Sequence, residues 1–126
     1  MNLLKLFWGS ITLLAFGFFL DGYSAYVHYQ EDPVWLMAHE ANPDIKLQME
    51  RYGAIGAFYV SAWSLREYVI YAIIGSSVCG TVLRDEFREY DYIERAIILF
   101  SLSLILIAVM KIGAGAWNFV LMVIAK

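Results

Sequence analysis

A single cysteine, two prolines and two histidines leave few reactive groups in this chain of 126 residues. The lone Cys79 excludes an internal disulfide and reads as a small apolar packing residue on a helix. Both prolines lie in one loop, and no low-complexity run or internal repeat divides the chain, so a single domain over 1–126 is expected. Charge is sparse as well, at 17% of residues against about 25% in an average soluble domain. The net charge of -3, with its basic residues dispersed, gives no footprint for nucleic acid. No Gly-x-Ser-x-Gly, HExxH or Cys and His pairing is present. The common routes to nucleophilic and zinc catalysis are therefore missing, which points away from a catalytic activity of the chain's own.

Apolar surface is what the chain has in excess. It is 61% apolar with a mean hydropathy of +0.61, against about 45–50% apolar in ordinary globular domains. Three stretches, 6–30, 52–83 and 96–125, each exceed the roughly 20 residues that a membrane-crossing helix needs. Residues 96–110 are apolar around the whole helix, without the polar face of a soluble bundle helix. The expected fold is all-α: an integral membrane protein with three transmembrane helices and a short interfacial helix in the first loop. Asp32-Pro33 supplies an N-cap followed by proline at the first helical position, which predicts that short helix over 33–41. Asn42-Pro43-Asp44 repeats the signal and predicts a helix running from 43 through Arg51 into the membrane as one piece. Trp8, Tyr29, Trp35 and Tyr52 fall where interfacial aromatic belts sit, and bound membrane lipid is expected around them. Lys5, Arg84, Arg88 and Arg95 on one side outnumber Lys46, Arg51 and Lys126 on the other, favouring the N-terminus inside and the C-terminus outside.

The positions of the charges say more than their number. Seven lie within 31–51, eight within 84–95, and Lys5 and Lys126 sit near the ends. Asp21, Arg66, Glu67 and Lys111 remain, each inside an apolar stretch, and their signs cancel. All four lie near the midpoints of the expected spans, within about 5 Å of one plane at 1.5 Å rise per residue. A charge at that depth costs about 2.5–3.5 kcal/mol, so such residues pair. Adjacent helical residues point about 100° apart, which lets Arg66 reach Asp21 on one neighbour while Glu67 reaches Lys111 on the other. Small residues mark the faces on which helices approach: Gly17 and Ser24 beside Asp21, Gly53 and Ala57 on the second helix, and Ala108, Gly115 and Asn118 beside Lys111.

Three functions compete for these residues. In the leading one the buried charges fix helix register in a small accessory or assembly subunit of a larger membrane complex, with other membrane subunits as partners. The alternative is an oligomeric ion or proton transporter or channel component that uses Asp21 and Glu67. The third places a metal at His28, His39 and Glu40. The two histidines lack an i, i+4 spacing, so neither a metal nor another cofactor is expected. Asp21 with Ser24, followed by Glu40-Ala41-Asn42-Pro43, resembles a family of small prokaryotic multi-pass membrane proteins that carry a Glu-x-Asn-Pro signature and have no established activity. This chain departs from that pattern in its second helix, where Arg66-Glu67 replaces a lone lysine. The resemblance implies a multi-pass topology and a prokaryotic cell membrane, and no reaction.

Overall fold

A computed structural model describes residues 2–40 and 43–124. Asn42 with its expected cap, Ala41 at the end of the expected short helix, and Ala125 and Lys126 lie outside the described residues. The described residues are helical almost throughout and contain no strand.

Helix α1 spans Leu3–Glu31 and is capped by the Asn2 side chain, which accepts from the Lys5 N–H at 3.1 Å. Asp32 then serves two helices. Its N–H donates to the His28 carbonyl and closes α1, while its Oδ1 accepts from the Trp35 N–H and opens α2, Pro33–His39, with proline at the first position as its cap requires. Helix α3 covers Pro43–Tyr52. The continuous helix expected from 43 onward is broken at Gly53, whose φ of 71° lies in the left-handed region that glycine tolerates. A short 3-10 turn, Gly53–Ile55, reverses the chain, and α4, Gly56–Val82, runs back along α3. The reversal needs a glycine at 56 too, because a Cβ there would strike the Gln48 backbone. Gly53 was expected to pack a helix; its own Cβ position meets nothing, so its part is the turn.

Turns over residues 83–91 lead to α5, Tyr92–Ile124. Asp91 caps it through Oδ1 to the Glu94 N–H at 2.8 Å. Arg95 fastens this connection by donating to the Gly80 and Tyr90 carbonyls at 3.1 and 2.7 Å. A cation at the C-terminal end of α4 also complements the helix dipole.

Neighbouring residues fix the directions. Phe7 stacks on Phe100 at one end and Tyr23 lies against Phe119 toward the other, so α1 and α5 run parallel. Phe18 meets Tyr68 and Tyr26 meets Phe58, so α4 runs antiparallel to α1. Leu14, Phe18, Ala72, Leu104 and Ala108 form one core among the three long helices, and Ala25, Leu36, Met49 and Ala57 form a second where α2 and α3 fold back. Gly17 faces the Ala108 backbone and Gly115 faces Leu20 and Asp21, so α1 and α5 touch nearly backbone to backbone.

By length and composition α1 and α5 are apolar enough to cross a membrane. α4 is not, because Arg66 and Glu67 and several hydroxyl side chains interrupt it. Two candidate spans thus stand where three were expected. Cys79 is exposed, contrary to its expected place in the packing.

Candidate functional site

The small-residue faces of α1 and α5 bring Asp21 and Lys111 together. The Lys111 Nζ lies 3.4 Å from Asp21 Oδ2, with the side chains 22% and 18% exposed. Gly17 makes this possible, since it leaves room for Lys111 Cβ on the opposing helix. The ammonium also lies 5.0 Å from the Phe18 ring centre and 5.4 Å from that of Tyr68. A carboxylate and two π faces therefore surround one cation, and each ring adds about 0.5–2 kcal/mol, more where water is excluded. One turn on, Asn118 Nδ2 donates to Ser24 Oγ at 3.0 Å, and Ser24 Oγ donates to the Asp21 carbonyl at 2.8 Å. The polar contact between α1 and α5 thus extends over two levels.

The expected pairings are corrected by this geometry. Asp21 meets Lys111, not Arg66, and the buried set is two residues, not four. Arg66 and Glu67 are exposed on α4. Arg66 lies 5.5 Å over the Trp63 ring, and among the described residues neither it nor Glu67 has an ion pair. The reason is position around the helix: at this level Leu65, Val69 and Ala72 turn toward the core, which puts Glu67 on the opposite side of α4 and Arg66 on its flank.

Among the described residues, cavities adjoin both sets of charges. One of about 210 Å³ is bordered by Asp21, Glu40, Ser61, Trp117 and Asn118. Another, about 410 Å³, is an open groove between α3 and α4 with Asp44, Gln48, Trp63 and Glu67 in its walls. Asp21 and Glu67, named together for ion transport, border different cavities.

The remaining sequence candidates divide. Ser24, Ala57, Ala108 and Gly115 are buried and Asn118 is half-buried, all within helix contacts. Trp8 and Tyr52 are exposed, and Tyr29 is half-buried. Trp35 is half-buried as well. Its indole lies between two imidazoles, with ring centres 4.7 Å from His28 and 4.2 Å from His39. That indole separates the histidines, and among the described residues no three of His, Cys, Asp or Glu gather as a metal site would require. Residues 28, 35 and 39 were open to inspection, since 35 and 39 are one helical turn apart; what the sequence hid was the fold-back of α2 onto α1. The rings around Lys111 were partly visible too, as Phe18 stands three residues before Asp21 on one face.

Trp35→Ala removes both stacked contacts, worth about 0.5–1.5 kcal/mol each. Amide hydrogen exchange in 33–39 is expected to rise roughly tenfold while exchange in α5 stays unchanged. Equal exchange in wild type and variant would show that the stack does not hold α2.

No family model, curated protein or solved structure matches the chain.

Proposed function

We propose that this chain is a small integral membrane subunit, with accessory or assembly work in a larger complex, and that α4 is the side on which it docks. The observation carrying the reading is the contrast between its two sets of charges. Asp21 and Lys111 neutralise each other inside the chain, while Arg66 and Glu67 face outward at a comparable level of the bundle. In a bilayer each outward charge costs about 2.5–3.5 kcal/mol unless a neighbour answers it. Another protein surface does so.

The direction of the helices supports three spans in this reading. If α1 and α5 both cross, they cross the same way, because they are parallel; the chain between them has to return through the same bilayer. α4, with 27 residues, reaches about 40 Å and exceeds a core of about 30 Å. Its charged centre is tolerated once a partner covers it. The N-terminus inside, surrounding lipid and a prokaryotic cell membrane belong to the same reading, to which the resemblance carried by Asp21, Ser24 and residues 40–43 adds topology alone.

The test is purification in mild detergent after an alkaline wash of the membranes. The chain is expected to stay in the membrane and to migrate as part of a larger, stoichiometric assembly, from which R66L/E67L is released. Loss to the alkaline wash overturns the membrane assignment, and recovery as a lone monomer overturns the assembly role.

The cavity beside Asp21, Glu40 and Asn118 supports a second reading, a proton- or ion-handling component. Reconstituted vesicles would then show flux that Asp21→Asn abolishes. Equal flux with and without protein excludes it.

A further inference from the structure

Trp63 and Ile70 stand seven residues apart on α4, almost two full turns, and so share one line along the helix. They are 64% and 44% exposed, on the side turned away from the buried Ala57 and Ala72. Arg66 follows Trp63 by three residues and Glu67 by four. The two charges therefore flank that line on opposite sides, one basic and one acidic, at nearly one height.

Such a face is its own complement. When two parallel copies of α4 meet about a two-fold axis along their length, the left flank of each lies against the right flank of the other. Arg66 of each copy then meets Glu67 of the other at one depth. Two ion pairs bracket the axis, with Trp63 and Ile70 between them. An antiparallel meeting would set like charges side by side, so the order of the two residues selects the parallel one. Two copies inserted with the same orientation adopt that arrangement.

We infer that a second copy of this chain covers the Trp63 and Ile70 face of α4, held by reciprocal Arg66 and Glu67 ion pairs. This rests on the membrane-subunit reading and names the first partner of its docking side. The pairing answers all four outward charges of two copies at once, with no residue of another protein needed. It also explains why the two charges are adjacent: a wider spacing along the helix would place them at different depths and break the reciprocity. The aromatic ring under Arg66 holds the guanidinium toward the line of contact, at 5.5 Å.

The experiment is disulfide capture in membranes with differently tagged full-length chains carrying Cys79→Ser and Ile70→Cys. Homodimer cross-links are expected with the native charges. R66E alone or E67R alone should lower them at least tenfold, because four like charges then crowd the axis. The swapped double variant R66E/E67R should restore them, and so should R66E chains mixed with E67R chains, which meet as two acidic flanks against two basic ones. That mixture keeps the result decisive where single variants insert poorly, since it contains the same two chains. No cross-link with the native charges, or cross-links unchanged in both single variants, overturns the inference. Stoichiometric cross-linking of residue 70 to a different chain also overturns it and leaves the assembly role standing. Loss of the chain to an alkaline wash removes both.

Discussion

Lys111→Met is expected to lower the stability of the folded chain by about 3 kcal/mol, the lower end of what breaking a buried ion pair costs. The lower end applies because about a fifth of each side chain remains exposed. The variant keeps the volume of the side chain and strands the Asp21 carboxylate between α1 and α5. Asp21→Asn is expected to cost less, about 1–2 kcal/mol, since the ammonium keeps the Phe18 and Tyr68 rings and an amide oxygen can still accept from it. The double variant should recover most of the loss, because a neutral pair leaves no orphaned charge. Reversible unfolding in mixed micelles across this cycle measures all three. A double variant as unstable as the sum of the singles would mean that the pair contributes nothing as a pair.

Gly17→Leu is expected to be as damaging by another route. Even a Cβ at residue 17 comes within 2.9 Å of the Ala108 carbonyl oxygen, a backbone atom that cannot turn aside. The helices have to separate, and overpacking of this kind costs about 1–3 kcal/mol, more for a leucine. Separation also lengthens the Asp21 to Lys111 contact and the Ser24 to Asn118 bond, so the loss exceeds that of a purely steric defect. Gly75 and Gly113 provide the control. Nothing lies within 4 Å of a Cβ at either position, so alanine there should be neutral or stabilising by about 0.5–1 kcal/mol through helix propensity. The same unfolding measurement decides. A Gly17→Ala variant as stable as Gly75→Ala would refute the close approach.

How much of this could be read from the sequence depended on whether the property belonged to one helix or to several. Steps of three and four residues place Gly17, Asp21 and Ser24 on one face of α1, and Ala108, Lys111, Gly115 and Asn118 on one face of α5, before any neighbour is known. The structure brings those two faces together. Which helix each would meet was not legible. Taking the middle helix as the bridge gave Asp21 to Arg66 and Glu67 to Lys111, an assumption that consecutive elements are neighbours. In the structure the first and last helices make the intimate contact, and α4 lies against both with its charges turned out. The break between α3 and α4 was hidden for a related reason. Residues 43–83 contain no proline after Pro43, and Gly53 in a helical pattern costs only about 1 kcal/mol, so propensity alone allowed one long helix. Packing of Met49 against Ala25 and Ala57 is what makes the reversal worthwhile, and that lies outside local sequence.

The contact between Asp21 and Lys111 joins residues 90 positions apart. At a synthesis rate of about 5–20 residues per second, roughly 5 to 18 s separate the emergence of the acid from that of its base. Throughout that interval a nascent α1 carries a carboxylate without its cation. Folding of this chain during its synthesis therefore has a built-in waiting period, and the contact that joins α1 to α5 is the last of the long-helix contacts to become possible.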